Sequence, residues 1–211
     1  MPASPAKLQI FLEGSTDRAF FRKILNHHQV EGVIFYEPKS EDAGGKDWLR
    51  KNLSRLLKEG NAERFGLVLD ADHDAAAKWQ SIAAAMRKIA ISVVDGDDLP
   101  AAYPASGFVD GNFGVWIVDP ASDLPGDLES LKLSLVQSDD VLEPAKAAVA
   151  REPQLLTKTS KAVFGTWLAW QRKGAGMVEA EAWTEKLLQI EGAIATDFVA
   201  WVRRMLSSPA E

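Results

Sequence analysis

The sequence predicts an α/β fold, a doubly wound, mostly parallel sheet flanked by helices, with an α-helical C-terminal extension. Three observations predict it. Apolar strand-like runs alternate with amphipathic helical runs, the order that builds a parallel sheet through crossover helices. Phe65–Leu69 (FGLVL) is apolar at every position, as in a strand covered on both faces. Two of the strand-like runs end in acidic residues, at the sheet edge where such folds bind ligands.

The elements follow in order. Lys7–Leu12 (KLQIFL) is the first strand. It ends at Glu13-Gly14, where Ser15 or Thr16 is placed to cap a helix. In that helix Phe20, Phe21, Ile24 and Leu25 recur at helical spacing. Val30–Tyr36 reads as a second strand. Gly44-Gly45 breaks the chain, and Lys46–Lys58 is an amphipathic helix with Trp48, Leu49, Leu53, Leu56 and Leu57 inward. Phe65–Leu69 runs straight into Asp70-Ala71-Asp72-His73-Asp74. Ala75–Ile89 is a helix, and Ile91–Val94 is a further strand candidate. Phe108–Asp110 and Phe113–Val118 flank Gly111-Asn112, a hairpin pattern. Pro120–Pro125 is a loop, and Gly126–Val136 starts another helix. From Glu143 onward the pattern is helical: 143–151, about 158–172, about 177–190 and about 192–206, with Gly174-Ala175-Gly176 as a break. Residues 1–140 therefore read as the α/β domain and 141–211 as a helical extension packed on or beside it. Four of the seven tryptophans (Trp167, Trp170, Trp183, Trp201) lie in that extension.

Composition narrows the function classes. The 211 residues hold no cysteine, which excludes disulfides, thiolate zinc sites and cysteine nucleophiles. Three histidines make a histidine-rich metal site a poor fit. No apolar run approaches the roughly 18 residues of a membrane span, so no membrane association is expected. Met1–Lys7 lacks the basic and apolar regions of a signal peptide, and the expected location is the cytoplasm. With 24 Lys+Arg against 30 Asp+Glu, the net charge is −6. That argues against a basic coat protein for nucleic acid, but not against an enzyme with a local basic path.

The charges are unevenly spread. From Asp95 to Glu129 there are eight acids (Asp95, Asp97, Asp98, Asp110, Asp119, Asp123, Asp127, Glu129) and no Lys or Arg. From Lys39 to Lys58 there are six bases and three acids. Packed like charges repel unless solvent or a counter-ion screens them. A solvated acidic face and a cation site both satisfy that requirement.

Asp70-x-Asp72 closes the apolar strand. Two carboxylates leaving a strand end, with no base nearby in the sequence, are costly unless a cation or proton intervenes. Oxygen ligands without His or Cys select Mg²⁺ or Mn²⁺. The alternative is that an acid here caps the helix from Ala75. Glu13 is a second strand-end acid, followed by a glycine that lets the backbone turn. Asp17 lies four residues on, in the first turn of its helix, and serves equally as a partner for the helix dipole. Glu129 occupies a comparable first-turn position in Gly126-Asp127-Leu128-Glu129. Asp74 and Asp123 are further possible ligands, and His73 is a base, a group behind the ligands or an exposed loop residue.

Taken together, Glu13-Gly14-x-Thr16-Asp17, Leu67-Val68-Leu69-Asp70-Ala71-Asp72 and the acidic segment through Gly126-x-x-Glu129 resemble the Toprim domain, the topoisomerase–primase catalytic fold. The likeness extends to small Toprim-like proteins known only as a domain of unknown function. Those share Gly44-Gly45-Lys46 with Leu49, the Asp119-Pro120 to Glu129 stretch and a tail like Thr166-Trp-Leu-Ala-Trp170. The resemblance implies that Glu13, Asp70 and Asp72 hold Mg²⁺. Overcoming-lysogenization-defect nucleases carry a related half with further acids, and Asp17 and Glu129 occupy comparable places, implying a second metal.

The departures from the family restrict the activity. Topoisomerases of this fold need a tyrosine nucleophile on another domain, and only Tyr36 and Tyr103 exist here. Primases of this fold usually carry a zinc-binding domain, which needs the missing cysteines. No GxxxxGK[ST] of a P-loop ATPase is present. The expectation is metal-dependent hydrolysis of nucleic-acid phosphodiesters, DNA or RNA, with Lys46 meeting phosphate or transition-state charge. A solvated first-turn lysine is the plainer role for Lys46. Arg50, Lys51, Arg55 and Lys58 share its helix, as a backbone track or as a solvated face. The alternatives are a non-catalytic nucleic-acid or protein-binding accessory module, which exposed tail tryptophans would favour, and, behind it, a haloacid-dehalogenase-like phosphatase. Oligomeric state is not legible.

Overall fold

The computed structural model describes residues 7–12, 17–36, 63–72, 74–89, 99–104, 107–118, 126–137, 140–151, 159–171 and 177–207. Among them are β1 (Leu8–Leu12), α1 (Asp17–His27), β2 (Val33–Phe35), β3 (Arg64–Asp70) and α2 (Ala75–Ile89). The hairpin β4 (Phe108–Asp110) and β5 (Phe113–Val118) comes next. Five helices follow: α3 (Leu128–Ser134), α4 (Leu142–Ala150), α5 (Thr159–Trp170), α6 (Glu179–Thr184) and α7 (Ala193–Ser207). The Lys46–Lys58 helix and the Ile91–Val94 strand lie outside the described residues.

The strands form one sheet in the order β2-β1-β3-β5-β4. The first four in that order run parallel, and β4 is antiparallel to β5. The fold is therefore α/β, with a mostly parallel sheet flanked by helices. Arg64–Leu69 of β3 and all of β5 are buried, as continuous apolar runs in a doubly covered sheet should be. Alternate side chains feed two cores. Leu8, Ile10, Val68 and Trp116 join one with Phe20, Phe21, Ile24 and Leu25 of α1. Phe11, Leu67, Leu69 and Val115 join the other with Trp79, Ile82 and Met86 of α2.

The helices beyond residue 140 share the first core. Ala145, Phe164, Trp167, Trp183, Phe198 and Trp201 all belong to it. Trp201 of α7 packs against β3, where a Cβ added at Gly66 would sit 2.7 Å from its ring. Its indole N–H donates to Phe108 O at 3.0 Å. Trp167, Trp183 and Trp201 are buried, while Trp170 is 48% exposed. Lys132 of α3 is buried too, paired with Glu179 of α6 at 2.9 Å and set over the rings of Phe20 and Phe164. Among the described residues no helix is long and apolar enough to cross a membrane.

Three expected elements are shorter. The Val30–Tyr36 strand spans only Val33–Phe35, because Val30 N closes the end of α1 onto Leu25 O (2.9 Å) with Gln29 at φ 54°. This is a Schellman closure, in which the residue after the left-handed position returns to the last turn. The helix expected at about 177–190 spans only Glu179–Thr184 and ends the same way. Lys186 is left-handed (φ 60°), Leu187 N bonds to Ala182 O, and Leu188 then bridges to Val136. The pattern at Gly126–Val136 yields a helix only from Leu128 to Ser134, because Gly126 is held in a bridge and Asp127 is the cap.

Candidate functional site

β3 is the central strand, and its carboxyl end presents the Asp70–Asp72 pair. β1 runs parallel beside it with Leu12 opposite Val68, so both strand ends reach the same edge. On the other side Asp70 is opposite Val118 of β5. Glu13 follows β1 and lies outside the described residues, as do Lys46, His73 and Asp123.

The turn after β3 is tightly held. Ala71 is buried and its N–H donates to Val118 O at 3.3 Å. Asp72 and Gly126 exchange two backbone bonds, Asp72 N to Gly126 O at 3.0 Å and Gly126 N to Asp72 O at 2.7 Å. Within this bridge Asp72 adopts φ 57°. A left-handed backbone costs most non-glycine residues about 1 kcal/mol, and aspartate adopts it more readily than most. Gly126 is itself required, since a Cβ there would collide with Ala71 and lie 2.6 Å from Val118 O.

The helix cap falls to Asp74. Its Oδ1 accepts from Ala77 N at 2.9 Å, which satisfies one of the open amides of α2. The capping role that the sequence offered for the acid pair is thus filled by the next acid along.

Lys78 is the residue that sequence reasoning missed. Its ammonium lies 3.4 Å from Asp72 Oδ2. No base stands beside the pair in the sequence, but Lys78 is six residues on, in the helix that follows, and its ammonium meets Asp72. The available signal was its place in the first turn of a helix, where the dipole disfavours a cation. A lysine set there needs an acid to face.

Asp17 is half-buried in the first turn of α1, and Glu129 is half-buried in the first turn of α3. Asp127, between the bridge and Glu129, is 4% exposed. Its Oδ1 accepts from Ser130 N (2.8 Å) and Ser130 Oγ (2.7 Å), and its Oδ2 from Ser160 Oγ of α5 (2.5 Å). Among the described residues, no three His, Asp or Glu side chains gather as a group that would hold a metal ion. Asp70 and Asp72 are the carboxylate pair the described chain offers at the strand edge.

The fold and this edge define the class, an α/β protein with a left-handed acid-x-acid turn on the carboxyl end of its central strand. The chain belongs to a family described as a protein of unknown function, DUF3226, whose model matches residues 7–207. No curated protein and no solved structure matches it.

Proposed function

We propose that this protein is a Toprim-like, Mg²⁺- or Mn²⁺-dependent nuclease acting on the phosphodiester bonds of DNA or RNA. The observation that supports it most is the turn after β3. The bridge to Gly126 holds Asp72 in a left-handed backbone beside Asp70, while Asp74 takes over the cap. A turn fixed in this way is explained if it serves to place carboxylates.

The donor set fits the metal. Two acidic side chains plus substrate phosphate and water suffice for Mg²⁺, which seldom takes an all-protein cage. Asp72 is solvent-accessible, with its side chain 41% exposed. Asp70 and Asp72, with Glu13, would hold the ion, and Asp17 and Glu129 are the candidates for a second. When bound, such an ion neutralises phosphate charge and makes water a better nucleophile. Lys46 remains the proposed phosphate contact.

The test is calorimetric titration of metal-free protein with Mn²⁺ and Mg²⁺, with and without an oligonucleotide, beside Asp70→Asn. Wild type is expected to bind and to cleave single- or double-stranded DNA or RNA, and Asp70→Asn to do neither while staying folded. Absence of binding and cleavage in the wild type under both conditions overturns the reading. The half-exposed Trp170 favours a second reading, an accessory module that docks a partner through its tail. The burial of the other three tail tryptophans keeps that reading second.

A further inference from the structure

We infer that Lys78 is a resident counter-cation of the Asp70–Asp72 site, which a divalent ion must displace, so that this lysine sets the affinity for metal. The inference rests on the metal-site reading above.

Three observations carry it. The first is position. Ala75, Ala76 and Ala77 precede Lys78, and the first turn of α2 contains no acid. A cation there opposes the helix dipole, and its ammonium lies within reach of Asp72. The second is distance. At 3.4 Å the contact is longer than the roughly 2.7–2.9 Å of a tight charge-assisted bond. It neutralises the carboxylate without locking it. The third is burial. The Lys78 side chain is 12% exposed and that of Asp72 41%. The lysine is the more buried partner, and the acid keeps a good part of its surface in solvent, from which an ion arrives.

A divalent ion on Asp72 would stand within a few ångström of this ammonium. Like charges that close repel strongly near a protein surface, so the lysine must swing away or the ion binds weakly. Substrate phosphate offers the displaced ammonium a new partner, which would couple metal binding to substrate binding.

The experiment compares Mn²⁺ affinity by calorimetry in wild type, Lys78→Met and Lys78→Arg, together with the change in Tm on adding Mn²⁺. Lys78→Met keeps the apolar stem and removes the charge. It is expected to bind Mn²⁺ at least about fivefold more tightly, the lower end of typical coupling between sites. Its Tm should also rise more with Mn²⁺ than that of wild type. Lys78→Arg keeps the charge and should match wild type. Equal or weaker Mn²⁺ binding by Lys78→Met overturns the inference and makes Lys78 a positioning residue for Asp72, while the metal site stands. No Mn²⁺ binding in any of the three, with or without an oligonucleotide, overturns both readings. If Lys78→Met does not fold, Lys78→Gln carries the same comparison.

Discussion

Asp127 and Asp72 are neighbours through one backbone bridge, yet they are built oppositely. Asp127 is buried, and both its oxygens are taken up by an amide and two hydroxyls. Its donors are neutral, and they join α3 to α5. Asp72 sits at the sheet edge, half-exposed, on a left-handed backbone, with an ammonium 3.4 Å away. A carboxylate closed in by short neutral hydrogen bonds holds a fold together. A carboxylate facing a cation and open to water is what the proposed metal site requires. Exposure and donor type separate the two roles where residue type does not.

That contrast can be broken by substitution. Asp127→Ala should have the largest effect, a loss on the order of 3 kcal/mol by urea denaturation, because it removes a cap and strands two buried hydroxyls. Mn²⁺ affinity per folded molecule should stay unchanged. A fall in affinity with stability intact would reverse the roles assigned here. Gly126→Ala should cost about 2 kcal/mol through overpacking against Ala71 and Val118 O. Because Gly126 anchors Asp72, this variant should weaken Mn²⁺ binding as well, the one change to touch both neighbours.

Asp72→Asn sharpens the comparison from the other side. Asparagine tolerates the left-handed region, but it removes the counter-charge of the mostly buried Lys78 ammonium, so thermal melts should show a loss on the order of 1 kcal/mol, while Mn²⁺ binding is lost. A large destabilisation would show Asp72 to be structural after all.

The smallest expected effect concerns Lys23. Burial lowers its ammonium below the ordinary 10.5, and the nearby Glu179 offsets part of that shift. Between the lowered value and 10.5 the unfolded chain binds more protons than the folded one, so Lys23 contributes stability that rises with pH in that window. Lys23→Met should therefore lose stability relative to wild type as pH climbs toward 10.5. Parallel melts at stepped pH would show it, and a flat difference would mean that Lys23 is solvated like any surface lysine.

Much of the fold was legible because local rules decide it. The Gly111-Asn112 turn marked its hairpin, and the α2 pattern ran from Ala75 to Ile89 as observed. Phe20, Phe21, Ile24 and Leu25 formed the buried face that their spacing implied. The segment after α6 was misread because its partner is distant. Residues 186–189 look helical by composition, but Gln189 N and Leu187 O bond to the 135–137 strip, and no local pattern announces a partner some 50 residues away in the chain. The candidate site divides in the same way. The acid pair was visible as residue types after an apolar strand. Its cation and its buried neighbour were not, because Lys78 and Asp127 acquire their roles from where the chain turns back.

The sequence by itself determined an α/β sheet with carboxylates on its edge, since burial pattern and strand-end chemistry are written in residue order. Tertiary structure alone decided which carboxylate is sealed by hydroxyls and which faces an ammonium. Desolvation and charge act through space, and the distances that set them exist only once the chain has folded.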